Sequence, residues 1–171
     1  DRSFASLRGG VLSAQLVQDP DKIEQPGYTI NTGMGAFDRN KFLALGGYDE
    51  MYLPGYYEDL DLCYRGWKRG WKGYYEPASK KLRHECGVSF SKRFGKKGTE
   101  RLGFRNSILF MIKNVTDPWL LLTFTLFLPL RLIRFTFLGK WNMFSGMMDA
   151  LAKVPMFSAS QRIWGYETPD G

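Results

Sequence analysis

Residues 58–70 read EDLDLCYRGWKRG, and the rest of the chain is organised around this stretch. Leu60, Cys63, Tyr64 and Trp67 recur at i, i+3, i+4 and i+7, the spacing of one apolar helix face. Glu58, Asp59 and Asp61 crowd the first turn, where carboxylates suit the helix dipole. Asp61 and Arg65 stand at i, i+4, a spacing that pairs charges on a helix surface. Lys68 and Arg69 complement the last turn, and Gly70 suits the left-handed position that ends a helix. The pattern predicts a helix from near Glu58 to Gly70.

Working upstream, residues 48–57 (YDEMYLPGYY) form an aromatic-rich loop containing Pro54-Gly55. Asp38-Arg39-Asn40 caps a short helix through Phe42, Leu43 and Leu45, and Gly46-Gly47 ends it. YTINTGMGAF, residues 28–37, reads as a strand interrupted at Gly33 and Gly35. VLSAQLV, residues 11–17, suits a short helix and a strand equally. Downstream, WKGYY (71–75) and KKLRH (80–84) read as short strands separated by Glu76-Pro77-Ala78. A further helix is expected from about Thr99 to Lys113.

The 171 residues allow one domain of ordinary size, or a small domain with an appendage. A hydrophobic share of 44%, with 16% aromatic, excludes a mainly disordered chain. Two cysteines, Cys63 and Cys86, exclude a disulfide-dense scaffold and read as reduced, partly buried thiols of a cytosolic protein. A single histidine, His84, excludes a multi-histidine metal site built from this chain alone. No basic-then-apolar leader precedes Asp1, so no secretory signal is expected, and the chain is expected to begin inside a larger protein. On that basis Asn114-Val115-Thr116 reads as a chance glycosylation match.

The net charge of +7, with pI near 9.4, points to an anionic partner. Ten Lys or Arg lie between residues 80 and 113 against Glu85 and Glu100, so the rest of the chain is close to neutral. Lys92, Arg93, Lys96, Lys97, Arg101 and Arg105 then lead into thirteen uncharged residues, PWLLLTFTLFLPL (118–130). Arg131 and Arg134 interrupt the apolar run, which resumes as FTFLG. It is short of the roughly 20 apolar residues that a span requires, and it contains Pro129. An interfacial or re-entrant segment is favoured over a true span. Trp119, Trp141, Lys113 and Lys140 suit an interface. A buried core helix is disfavoured because Arg131 and Arg134 would need buried partners. Residues 141–162 hold one more amphipathic helix pattern, with Met147, Met148, Leu151 and Val154.

A carboxylate at a helix start beside a loop can face a pocket and act as a general base. Taken alone, Glu58 and Asp59 equally fit simple capping, and a lone histidine such as His84 is more often a surface or core residue. Glycines 33, 35, 46 and 47 fit no phosphate-binding loop.

The order of the pieces carries more than any one of them. The stretch from Gly33 to Ser89 resembles glycosyltransferase family 2, which has a GT-A fold. The matching elements are Ala36-Phe37-Asp38-Arg39, Gly46-Gly47-Tyr48-Asp49-Glu50, Glu58-Asp59-Leu60-Asp61-Leu62 with Arg65, Gly70-Trp71, Pro77, and His84 with Ser89. The resemblance continues more loosely through Arg105-Asn106, Leu109, Lys113-Asn114 and the apolar segment to about Arg162.

The resemblance implies a fold class of α/β: the C-terminal part of a GT-A-like mixed-sheet domain over residues 1–98, a helical membrane-associating region over 99–164, and a frayed tail over 165–171. It implies transfer of a hexosyl or deoxyhexosyl group, with inversion, from a nucleotide-sugar donor to a glycan or lipid-linked acceptor in building a bacterial surface polysaccharide or glycolipid. Asp59 takes the role of base. Glu58 orients the acceptor or the loop. Gly35, Arg39, Tyr57 and Asp61 are acceptor-side residues, and His84 joins a divalent metal, Mg or Mn. Most of the metal's ligands, and the nucleotide site, belong to an N-terminal half that these 171 residues do not contain. Isolated, the chain is therefore expected to be inactive. Lys92, Arg93, Lys96, Lys97, Arg101, Trp119, Arg131 and Arg134 are expected to meet anionic lipid at the cytoplasmic face of the membrane. A non-catalytic basic membrane-binding module is the alternative. Nucleic-acid binding is not expected, since no zinc-finger spacing or RNP-type motif is present.

Overall fold

The structure, a computed structural model, describes residues 2–30, 35–79 and 90–156. It is a mixed α/β arrangement, mostly helical, with two small antiparallel sheets. Strands β1 (Ser3–Arg8) and β2 (Val11–Leu16) form a hairpin in which Arg8 pairs with Val11. That settles VLSAQLV as a strand. The two-residue turn is Gly9-Gly10 with φ of 54° and 76°, both in the left-handed region that primed hairpin turns require. A single helical turn, α1 (Pro20–Ile23), leads to β3 (Gly27–Thr29).

Helix α2 (Arg39–Ala44) begins as expected, with the Asp38 side chain accepting from the Lys41 N–H at 3.0 Å. After a short 3-10 turn at Glu50–Tyr52 comes α3 (Glu58–Lys68), and Gly70 closes it at φ 77°. Strand β4 (Gly73–Tyr75) pairs with β3, Tyr28 standing opposite Tyr74. The strand expected at 80–84 lies outside the described residues. The described strands form two separate two-stranded pairs.

Helix α4 runs Phe90–Asn114, longer than the helix expected from Thr99, and is broken at Gly95 by φ 67°, ψ 172°. The boundary expected at residues 98/99 thus falls inside a helix. Ile108, Leu109, Phe110 and Met111 of α4 are almost wholly buried and form the centre of the core. Around them pack β2, α3, α5 (Pro118–Phe137) and α6 (Asn142–Lys153). Helix α6 lies close on α4. A Cβ at Gly146 would stand 2.8 Å from the Arg101 carbonyl oxygen, so a glycine permits the approach.

Helix α5 is apolar on two sides. Leu120, Phe124, Leu128 and Phe135 pack on the core. Leu122, Leu126, Leu130, Ile133 and Phe137 follow the same helical spacing on another face and are 47–86% exposed. The apolar run is continued by helix past Pro129 and both arginines, so the 20-residue helix is long and apolar enough to cross a membrane.

Candidate functional site

The apolar face of α3 expected from periodicity is only partly the buried one. Leu60 is buried, but so are Asp61, Leu62, Arg65 and Gly66, while Trp67 is 53% exposed. Cys63, Tyr64 and Trp67 instead line a cleft of about 640 Å³ together with Phe37, Phe42 and Trp71. The reason lies in α4, which supplies polar partners that make burial of a charged pair tolerable.

Asp61 is the hub. Its Oδ1 accepts from Tyr52 Oη (2.9 Å), Asn114 Nδ2 (2.7 Å) and Lys113 Nζ (2.8 Å), and its Oδ2 accepts from Arg65 Nε (2.8 Å). Arg65 also donates to the carbonyls of Leu45 and Gly47, tying α3 to the end of α2. Lys113 reaches Asp49 as well, at 2.7 Å. Burial raises the Asp49 carboxyl, but hydrogen bonds from Lys113 and the Met51 N–H outweigh it and hold the group below its ordinary value. Asp61, expected to touch the acceptor, is 0% exposed with its carboxylate engaged by four donors. Its place is structural. Asn114, the residue of the chance glycosylation match, is equally buried.

A second set of contacts fixes the loop ahead of α3. Asn106 Nδ2 lies 3.1, 2.8 and 2.7 Å from the carbonyl oxygens of Tyr52, Gly55 and Tyr56. Arg105 donates to the Leu53 carbonyl at 2.6 Å, and Lys153 to the Met51 carbonyl at 2.8 Å. Tyr56 and Tyr57 both take φ 74°, a conformation that costs a non-glycine residue of order 1–3 kcal/mol and persists only where its surroundings enforce it. These contacts supply the enforcement.

The held loop delivers Glu58 and Asp59 to the start of α3, both half-buried. Asp59 Oδ1 accepts from the Leu60 N–H at 2.8 Å. Glu58 Oε2 is buried with no hydrogen-bond partner. Burial pushes the Glu58 carboxyl up, the Asp59 charge adds to this, and hydrogen bonds from the N–H groups of Glu58 and Tyr56 oppose it. Tyr48 belongs to the same neighbourhood. Its phenol is raised by burial and by the charges of Asp59, Cys63 and Glu58, and its ring packs edge-on against Phe37 and Phe42. Burial also carries the Tyr57 phenol up to about 12, against the pull of Arg131.

Of the other expected site residues, Gly35 lines the large cleft and Arg39 is exposed at the start of α2. His84 lies outside the described residues. Among the described residues no three His, Cys, Asp or Glu side chains gather as a metal site requires. Lys92, Arg93, Lys96 and Lys97 are exposed. Arg101 is instead a bidentate partner of Asp149, at 2.6 and 2.8 Å, and Arg105 is 8% exposed and faces the loop. Arg105 thus leaves the expected basic face for the loop carbonyls, while Arg101 stays exposed but pairs with a carboxylate of α6. Trp119 is 73% exposed, and Arg134 is exposed too. Arg131 stacks on Phe104 at 5.2 Å, with Nη1 buried and unpartnered.

Sequence reasoning gave Asn106 and Asn114 no structural role and read Lys113 as an interfacial flank, whereas Lys113 is 6% exposed and committed to Asp49 and Asp61. The available signal was polar residues set seven or eight apart within the apolar run of α4, a pattern that a buried polar network requires.

No protein-family model matches the chain, and no curated protein or solved structure matches it either.

Proposed function

We propose that this chain is the acceptor-side part of an inverting glycosyltransferase with a GT-A-type fold, working at the cytoplasmic face of a membrane. One observation carries the reading: the Glu58-Asp59 turn is held by the residue pairs to which the family resemblance extends. Arg105-Asn106 grips the loop before the turn, and Lys113-Asn114 grips Asp61 within the first turn that follows. A turn clamped in a left-handed backbone is preorganised, as a base that must meet an acceptor hydroxyl requires.

In this reading Asp59 takes the proton from the acceptor hydroxyl. The acceptor oxygen forms its bond to the anomeric carbon as the bond from that carbon to the donor diphosphate breaks. The electron pair leaves with the nucleoside diphosphate, and configuration inverts. The described residues offer no ligand cluster for the divalent metal the family implies, and His84 lies outside them. Donor binding falls to an upstream half, in cis or from another chain. The exposed apolar face of α5 supports membrane association.

The test is Asp59→Asn in the complete protein, assayed for sugar transfer and for vesicle binding. Transfer is expected to fall by roughly 10²–10⁴-fold with vesicle binding unchanged. Transfer at the parental rate would remove Asp59 as base. A complete protein with vesicle binding but no transfer from any nucleotide sugar would favour the basic membrane-binding module.

A further inference from the structure

A second cavity of about 350 Å³ lies between the β1–β2 hairpin, α4 and α5. Arg8, Ser13, Tyr57, Ser107 and Arg131 contribute its polar side chains, with Phe104 and Phe135 among the apolar ones. Glu100 also borders it, but its carboxylate accepts from Lys140 at 3.1 Å and Asn142 at 3.3 Å. Arg8 and Arg131 form no ion pair with a carboxylate among the described residues. For Arg131 this is costly, since Nη1 is buried without an acceptor, and a buried donor left unpaired forfeits its hydration for nothing. The Phe104 ring accounts for one face of the guanidinium and leaves Nη1 unanswered.

We propose that Arg131 and Arg8 form a subsite for a lipid phosphate. Two guanidinium groups bordering one cavity match the oxygens of a phosphate or diphosphate, which arginine takes in bidentate fashion. The cavity is bounded by the same helix whose other face exposes Leu122, Leu126, Leu130, Ile133 and Phe137, so an anion seated there belongs to a molecule whose chain lies along α5. Tyr57 borders the cavity and immediately precedes Glu58. A wall residue of the cavity thus adjoins the carboxylate pair in the chain, as recognition of a lipid-linked acceptor's phosphate requires. The assignment to lipid rests on the membrane reading of α5. The arginine pair as an anion site rests on neither that reading nor the transfer reading.

The test uses the complete protein, with inorganic pyrophosphate in titration calorimetry and vesicles of phosphatidylcholine with or without phosphatidic acid. Arg8→Gln and Arg131→Gln are each expected to weaken pyrophosphate binding roughly tenfold. Lys22→Gln, a change at an exposed lysine outside the cavity, is expected to leave it within twofold. Phosphatidic-acid vesicles are expected to compete with pyrophosphate, and phosphatidylcholine vesicles to fail to. Pyrophosphate affinity within twofold of the parent in both folded arginine variants overturns the subsite. Should Arg131→Gln fail to fold by circular dichroism, the exposed Arg8 decides by the same criterion. Arginine-dependent pyrophosphate binding with no competition from phosphatidic acid overturns the lipid assignment and leaves a soluble phosphate as ligand. No arm reads sugar transfer, so failure here is distinct from failure of Asp59 as base.

Discussion

Lys113 and Asp61 stand 52 residues apart in sequence and 2.8 Å apart in space, with side chains 4% and 0% exposed. A pair so buried is weak evidence of net stability, but breaking it by removing one partner is expensive. Asp61→Ala leaves the Arg65 and Lys113 cations without their shared carboxylate. The expected loss is about 3–5 kcal/mol in urea unfolding. A loss under about 1 kcal/mol would mean that water reaches the site.

Asn106→Ala removes the amide that spans three loop carbonyls. Stability is expected to fall by about 1–3 kcal/mol. The loop at residues 52–57 should at the same time become the first site of limited proteolysis. Cleavage unchanged in position and rate would show that the loop holds its shape without the clamp.

Glu58 gives a pH signature. Its carboxyl is raised above the ordinary value of 4.5 in the folded protein, chiefly by burial. A raised carboxyl contributes stability that is fully present below the unfolded value and is lost as pH rises through the folded value. Glu58→Gln is therefore expected to be more stable than the parent at pH 7, with the difference shrinking as pH falls toward 4. Asp49 runs the opposite way, stabilising above its unfolded value and losing that contribution as pH falls through the depressed one. It is present in both proteins and cancels in the comparison. Equal urea midpoints at pH 7 would contradict the assignment.

Helix α5 makes a prediction about surfaces. Leu126→Glu with Ile133→Glu alters two side chains that are 59% and 54% exposed. The double change is expected to leave the fold intact, within about 0.5 kcal/mol per site, and to abolish sedimentation with anionic vesicles. Retained sedimentation would place the membrane contact elsewhere.

Gly10 links that helix to the hairpin. Its φ is 76°, and a Cβ there would stand 2.8 Å from Phe124 Cα and from the Thr123 carbonyl oxygen. Gly10→Ala combines left-handed strain with a backbone clash. It is expected to cost more than about 1 kcal/mol in thermal or urea unfolding. An unchanged midpoint would mean that the turn does not seat on α5.

The features readable in advance were those written locally. Asp38 caps α2, the acidic turn starts α3, and Gly70 stops it, because each effect acts within a few residues. The strand at 11–16 was legible too, had Gly9-Gly10 been read as a two-residue hairpin turn. The role of Asp61 was not. At i, i+4 with Arg65 it resembles any surface pair, and only α4, some fifty residues later, turns that pair inward. The same holds for Arg101 and Arg105, whose charges look alike in sequence. Asp149 on α6 claims one and the loop carbonyls claim the other. The break at Gly95 had only a glycine to announce it. The acidic pair was legible as residues at a helix start, whereas the unpartnered Glu58 Oε2 depends on how the loop is held.

The clamp on the Tyr56-Tyr57 turn also has a schedule. Asn106 is translated 50 residues after the Tyr56 carbonyl it grips, which at about 5–20 residues per second is roughly 3–10 s of synthesis. Lys153 follows Met51 by 102 residues. A nascent chain therefore carries Glu58 and Asp59 on an unheld loop until α4 has emerged, and α6 fastens the last contact only after the apolar α5 has left the ribosome. The loop ahead of the acidic turn is fastened last, when the long apolar helix has already been made.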